Sequence, residues 1–159
     1  MTQEEKETLK ELCSDLHDFL NVNKELLLKD LCARLPYGLK CQIDIKGDGW
    51  HTTKDAILKA IYSDGDVLVQ DTKDLGVFHY SDFKPYLRPM SSMTEEEQKQ
   101  FDDFCVIDED AWKGNGIIGF TNQAKIMNKA IDWLNAHHFD YRDLIKEGLA
   151  LEAPEDMYK

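Results

Sequence analysis

Glycines with the spacing of a nucleotide-binding turn occur at residues 114–119, which read Gly-Asn-Gly-Ile-Ile-Gly. In dinucleotide-binding folds, such glycines let the backbone approach a pyrophosphate at the start of a helix. That fold also needs a parallel strand directly before the first glycine, whereas residues 108–113 contain three acidic side chains. Residues 108–119 are therefore predicted to form a loop, and no cofactor is expected.

A partial calcium-binding pattern occurs in the segment that contains Asp44, Asp48, Gly49 and Asp55. A calcium loop requires oxygen ligands at fixed positions between two helices. Here Lys46 occupies the third ligand position, and a strand is predicted to enter the loop. A surface hairpin explains these residues better than a calcium site.

Two groups of side chains could bind a transition metal. Cys13 and His17 lie one helical turn apart, and His137, His138 and Asp140 form a second group of donors. A zinc site needs three or four converging protein ligands. Neither spacing supplies three that converge, and a histidine pair also suits the negative end of a helix. No metal ion is predicted.

Nucleophilic catalysis would require an activated serine or cysteine with a base beside it. Ser91, Ser92, His79 and Asp82 are close in sequence, but no strand-turn-helix elbow presents either serine. Hydroxyl groups at a helix entry are the simpler interpretation, so no catalytic residue is assigned. A small enzyme of unidentified reaction stays an alternative, because acid-base chemistry by paired carboxylates depends on a cleft.

The charge balance is strongly acidic, with 31 Asp and Glu against 19 Lys and Arg and a formal net charge of −12. Such a surface repels nucleic-acid phosphate, so direct nucleic-acid binding is disfavoured. The densest acidic stretch lies in residues 95–110, where eight carboxylates accompany one lysine. It is interpreted first as a solvated face, and alternatively as a face that mimics nucleic acid or attracts a basic partner.

Exposed aromatic residues often anchor protein interfaces, and Trp112 lies beside that acidic stretch. We therefore expect an interaction surface around Trp112, Tyr86, Asp108, Glu109 and Asp110.

The elements that position these residues begin with a predicted helical hairpin in residues 1–38. Apolar residues recur at helical spacing, which predicts one buried stripe. The stripe consists of Leu9, Leu12, Cys13, Leu16, Phe19 and Leu20. Residues 21–23 are interpreted as a break, and a second stripe around Leu27 and Leu31 ends at residues 36–38, where proline and glycine stop a helix.

A small antiparallel β-meander is predicted for residues 39–82. Residues 39–46 alternate between apolar and polar, and Asp64-Gly65 reads as a hairpin turn. Residues 56–62 fit either a strand or one helical face. The sheet could also close into a small barrel.

Residues 83–159 are predicted to be helical and to end in an acidic tail. Pro85 and Pro89 argue against regular hydrogen bonding across residues 83–90, so this stretch is predicted to be an ordered crossing between the sheet and the next helix. Thr94 and Glu97 form a capping box that begins a helix.

Further helices are predicted from about residue 122 to residues 137–138 and after Asp140. Together these patterns predict a single α+β domain, residues 1–159, in which the C-terminal helices pack on the sheet.

Three stretches, residues 35–41, 84–97 and 138–145, have long and specific motifs, and residues 148–158 fit with them. In these stretches the chain resembles a family of short uncharacterised proteins from gut Bacteroidales bacteria and their phages or mobile elements. The resemblance implies no reaction, cofactor or catalytic residue. Within these stretches, Arg88 and Arg142 are expected to form structural ion pairs that bridge segments.

The sequence thus predicts a cytoplasmic, non-catalytic binding or adaptor protein whose partner is another protein. An acidic inhibitor of the phage or mobile-element type that mimics nucleic acid is the second hypothesis. No membrane segment is expected. The four cysteines are expected to be reduced, with Cys13 and Cys32 buried on helices.

Overall fold

Three helices and a seven-stranded mixed sheet form the fold in a computed structural model that describes residues 3–45, 51–71, 74–105 and 116–158. The helices are α1 (Gln3–Arg34), α2 (Glu95–Cys105) and α3 (Gly116–Ala136). The strands are β1 (Lys40–Ile45), β2 (His51–Ile61), β3 (Val67–Asp71), β4 (Asp74–Phe78), β5 (Phe83–Pro89), β6 (Phe139–Asp140) and β7 (Leu151–Glu152). The α+β class is therefore confirmed, and the sheet stays open rather than closing into a barrel.

The predicted N-terminal hairpin is wrong, because α1 is one helix of 32 residues. Residues 21–23, Asn-Val-Asn, contain neither glycine nor proline, and asparagine costs a helix interior well under 1 kcal/mol. The predicted stop is correct: a short 3₁₀ turn, Leu35–Tyr37, follows α1, and Gly38 adopts a φ of 67°. The chain then reverses into β1.

The first four strands form the predicted antiparallel meander, in the order β4-β3-β2-β1. Residues 56–61 belong to β2, so the strand interpretation is correct. The turn at Asp64-Gly65 closes with a 2.8 Å bond from the Tyr62 N–H to the Asp66 carbonyl, and Gly65 has a φ of 98°. Both strands of this hairpin are placed as the sequence indicates.

Strand β5 occupies residues 83–89, which were predicted to be a crossing without regular hydrogen bonding. It pairs with β1 through residues 83–85 and with β7 and β6 through residues 86–89. The backbone bonds that connect it with the C-terminal chain come from non-proline residues: Arg88 donates its N–H to the His138 carbonyl, and the Leu87 carbonyl accepts from Ala153, both at 2.8 Å. The prolines therefore do not prevent strand pairing.

The core lies between the sheet, the last turns of α1 and the chain after β6. From α1 come Leu27 and Leu31, and from the C-terminal chain come Leu144 and Ala150. No described side chain of α2 or α3 belongs to this cluster; α2 packs on α3, and α3 contacts α1 and β6. The predicted covering of the sheet by C-terminal helices is therefore not what the described residues show.

Local signals at the helix starts are largely as predicted. The Thr94 hydroxyl accepts from the Glu97 N–H at 3.2 Å, and the Glu97 carboxylate accepts from the Thr94 N–H at 2.9 Å, which completes the capping box. The Asp140 carboxylate accepts from Leu144 and Ile145 at 2.9 Å, although residues 141–150 form a series of turns rather than a helix. Residues 116–119 lie in α3, so that part of the predicted loop is helical.

Candidate interaction surface

The first two thirds of α1 present an uncovered apolar face. Five large side chains on this face are each more than half exposed, namely Leu9 at 53%, Leu12 at 60%, Leu16 at 58%, Phe19 at 56% and Leu20 at 54%. Cys13, between them, is also exposed. These six residues are called the α1 stripe. The sequence predicted the stripe correctly as one helical face but wrongly as buried.

The α1 stripe and the buried end of α1 belong to the same face of the helix. Leu27 follows Leu9 by 18 residues, which is five turns at 3.6 residues per turn. Leu27 and Leu31 are 3% and 0% exposed, because the sheet covers the face there. The helix therefore extends beyond the sheet, and the same apolar face continues without cover.

The two sides of the α1 stripe differ in charge. Projected at 100° per residue, Lys6, Lys10 and His17 lie along one side. Carboxylates occupy the remaining polar surface, at Glu11, Asp15 and Asp18 among others, and residues 5–22 are all exposed. The stripe is thus bordered by a basic side, while the back of the helix is acidic.

A buried ion pair fixes the opposite end of α1. Asp30 and Arg34 are both 0% exposed, with Arg34 Nε 2.7 Å from Asp30 Oδ2. Arg34 Nη2 also donates to Asp30 Oδ1 at 3.1 Å and to the Phe139 carbonyl at 2.7 Å. Arg142 Nε lies 3.4 Å from the same carboxylate. These contacts join α1 to β6 and the turn after it.

Arg88 forms a second bridge between elements. Its guanidinium donates to both carboxylate oxygens of Glu97, at 2.7 and 2.8 Å, and lies 4.2 Å from the centre of the Phe139 ring. The hydrogen bonds from Arg88 lower the pKa of Glu97 to about 2. β5, the start of α2 and β6 are joined in this way, so Arg88 and Arg142 both contact structural partners.

An open groove of about 690 Å³ lies between the start of α2 and the C-terminal chain. Its walls include the carboxylates of Glu96, Glu97, Glu152 and Glu155 and the guanidinium of Arg88. Arg88 and Glu97 are bonded to each other, so neither is available as a lone catalytic group. His137, also on the wall, bonds through Nδ1 to the Trp133 carbonyl at 2.8 Å.

The C-terminal chain is held by the pair His138 and Tyr158, whose rings stack at 3.9 Å between centres. The Tyr158 hydroxyl accepts from the Lys40 N–H at 3.1 Å and donates to the Tyr86 carbonyl at 2.9 Å. Burial raises the pKa of Tyr158. Burial, together with the positive charge of Arg34, lowers the pKa of His138 to about 4. Both rings are therefore neutral near pH 7.

Of the predicted surface around Trp112, the described part of the chain includes Tyr86. Trp112, Asp108, Glu109 and Asp110 lie outside it. Tyr86 is only 6% exposed, and its hydroxyl donates to the Gln42 side chain at 3.1 Å. As a surface anchor, Tyr86 is therefore a wrong prediction.

Two of the side chains that were considered for nucleophilic catalysis form local hydrogen bonds. His79 Nδ1 lies 2.8 Å from the Ser81 hydroxyl, and Ser92 donates to the Pro89 carbonyl at 2.8 Å. Within the described part of the chain, no three His, Cys, Asp or Glu side chains converge on a metal position. No helix there is long and apolar enough to span a bilayer.

The cysteines also differ from expectation. Cys13 and Cys32 are exposed rather than buried, as is Cys105. Cys41 is the buried one, with its thiol 3.2 Å from the Ala56 carbonyl, and burial raises its pKa. Cys13 thus belongs to the accessible surface of the α1 stripe.

Comparison of the chain with protein-family models, curated proteins and solved structures finds no match. Function is therefore argued from the geometry of the described residues.

Proposed function

We propose that this protein is a non-catalytic binding or adaptor protein whose contact element is the α1 stripe. The observation that supports the proposal is the exposure of five large apolar side chains along one face of a continuous helix. Large contiguous apolar patches are rare on proteins that act alone, and they commonly mark interaction sites.

The spacing within the stripe favours a helix as the bound element. Leu9 and Leu16 are seven residues apart, as are Leu12 and Phe19, so the stripe follows the a and d positions of a heptad. Asn23, at the next a position, is the kind of polar residue that sets register in helix pairs. A partner helix with its own apolar seam fits this pattern.

The charge of α1 argues for a protein partner rather than a lipid surface. Helices that lie on membranes are rich in Lys and Arg on the polar face, which anionic lipids attract. The polar face of α1 instead contains Glu11, Asp15 and Asp18, all exposed. Anionic headgroups would repel this face.

Affinity purification from the organism that encodes the protein, read by quantitative mass spectrometry, tests the proposal. The variant Leu12→Glu/Leu16→Glu places two charges in the stripe. The matched control Ser14→Glu/Asn21→Glu places the same two charges on the opposite, exposed face. We expect specific partners to be lost from the first variant and kept by the second.

The comparison is meaningful only if both variants fold. Because all four positions are exposed, substitutions there are expected to change the free energy of unfolding by no more than about 0.5 kcal/mol. Circular dichroism melts would verify this. Identical sets of retained proteins for wild type and Leu12→Glu/Leu16→Glu would refute the role of the stripe.

A further inference from the structure

Resting on the proposed function of the α1 stripe, we infer that the helix it binds is α1 of a second copy of this chain. The two helices pack antiparallel, and the two-fold axis crosses the stripe at the height of residue 14. Each stripe then covers the other in an isologous interface, in which the same patch serves both chains.

The position of the sheet decides the direction of the second helix. The sheet covers the stripe face from Leu27 onward. A parallel copy running along the stripe would bring its own sheet into the same space. An antiparallel copy places its sheet beyond the start of the first helix, so both sheets are accommodated.

The sequence of the stripe is self-complementary in this direction. In an antiparallel pair, a positions face d positions of the partner. With the axis at the height of residue 14, Leu9 faces Phe19 and Leu12 faces Leu16. Each of these pairs occurs twice by symmetry. At each end, Glu5 faces Asn23, a carboxylate opposite an amide donor. The start of each helix then reaches the partner near residue 25, beside the β2–β3 turn that Lys24 contacts through the Asp64 carbonyl.

The area is sufficient for a reversible dimer. Five large side chains, each more than half exposed, would remove on the order of 1,000 Å² from water across the two chains. Specific interfaces start at about that size. The dimer should therefore dissociate on dilution, which makes its population depend on protein concentration.

The charges at the sides of the stripe determine whether added salt strengthens or weakens the dimer. An antiparallel pair brings the two Asp15 side chains towards each other. Like charges at exposed positions repel weakly, and salt screens them. Added salt should therefore strengthen the dimer, whereas a parallel pair would bring basic against acidic sides and weaken with salt.

Sedimentation equilibrium over about a hundredfold range of concentration tests the inference. The intact chain should shift from monomer towards dimer as concentration rises, and further towards dimer in higher salt. Leu12→Glu/Leu16→Glu should weaken self-association at least about 100-fold. Ser14→Glu/Asn21→Glu, on the opposite and exposed face, is the matched control and should leave self-association unchanged, as should Lys29→Glu, exposed beyond the stripe.

Disulfide trapping tests the direction of the helices. In a background with Cys13, Cys32 and Cys105 replaced by serine, Leu9→Cys/Phe19→Cys should form a covalent dimer on mild oxidation. Leu9→Cys alone should not, because position 9 faces its own copy only in a parallel pair. A covalent dimer of the single variant would overturn the antiparallel assignment.

A mass equal to the monomer at every concentration would overturn the second copy as occupant. The proposed function would survive that result if Leu12→Glu/Leu16→Glu still lost its retained partners. A concentration-dependent dimer that is unaffected by Leu12→Glu/Leu16→Glu would place self-association elsewhere and would equally refute the inference.

Discussion

Charged side chains without solvent exposure define the C-terminal end of α1. Removing Asp30 and Arg34 from water is costly, and their attraction and the bond from Arg34 Nη2 to the Phe139 carbonyl offset this cost, although Arg34 Nη1 is buried without a hydrogen-bond partner. An i,i+4 pair of opposite charges on a helix is ordinarily a surface feature. Here it joins segments 105 residues apart in the chain.

Acid should destabilise the protein in two steps. The folded state lowers the pKa of His138 from 6.5 to about 4, so the unfolded chain takes up this proton first and stability falls between these values. It lowers the pKa of Glu97 from 4.5 to about 2, so that contribution is present above pH 4.5 and is lost towards pH 2. The His138 step amounts to at most about 3 kcal/mol, and the Glu97 step is smaller, because solvent screens its partly exposed pair with Arg88.

Urea unfolding at a series of pH values measures both steps. His138→Asn should remove the upper step, since asparagine does not titrate and tolerates the positive φ of 59° at this position. Glu97→Gln should remove the lower one. A pH profile of His138→Asn that matches the wild type would contradict the assignment.

Loss of the Tyr158 hydroxyl should weaken the attachment of the C-terminal chain. Tyr158→Phe keeps the ring stacked on His138 but leaves the Lys40 N–H and the Tyr86 carbonyl without this bridge. An unsatisfied buried polar group costs about 1–3 kcal/mol. Thermal unfolding should show this loss, whereas Tyr62→Phe, at a side chain 45% exposed, should change little.

At the level of elements, α1 is one helix in two environments. Its last third belongs to the core, and its first two thirds extend into solvent with the same apolar face. Leu27→Ala or Leu31→Ala should therefore cost about 2–5 kcal/mol of unfolding free energy, as core leucines do.

The stripe supplies the matching control for that prediction. Leu12→Ala and Leu16→Ala should cost less than about 1 kcal/mol when unfolding is measured at low protein concentration, where a dimer has dissociated. Equal losses at Leu12 and Leu27 would show that the stripe is covered within one chain. Urea denaturation followed by circular dichroism distinguishes the two outcomes.

Short-range signals made much of the fold predictable from sequence. Alternation marked β1, Asp64-Gly65 marked the hairpin, and Thr94 with Glu97 marked the start of α2. Periodicity also identified the α1 stripe, because apolar spacing is a property of the helix itself. It could not show whether anything covers that face, since cover depends on where the sheet ends.

The errors arose where distant segments decide the outcome. Pro85 and Pro89 argued against a strand, but β5 finds its partners in the C-terminal strands β6 and β7. The sequence patterns did not single out Asp30 or Arg34. Their burial depends on Phe139 and Arg142, which no local pattern connects with α1.

Across the whole molecule, an excess of 12 negative charges opposes compaction. Salt screens this repulsion, with a Debye length of about 10 Å at 0.1 M, so the melting temperature at pH 7 should rise with added sodium chloride. The rise should shrink near pH 5, where carboxylates begin to neutralise. Differential scanning calorimetry at both pH values would show it, and a fall with salt at pH 7 would contradict it.

The bridge from Tyr158 to Lys40 spans 118 residues of sequence. During synthesis, α1 and the meander leave the ribosome before Tyr158 does, so the hydrogen bond to Lys40 forms late. Contacts between residues so far apart in sequence also form slowly. Until β6 and β7 are synthesised, residues 86–89 of β5 lack their strand partners. An unpaired strand of this kind promotes aggregation. The yield of folded protein in the cell should accordingly depend on chaperones that bind the incomplete sheet.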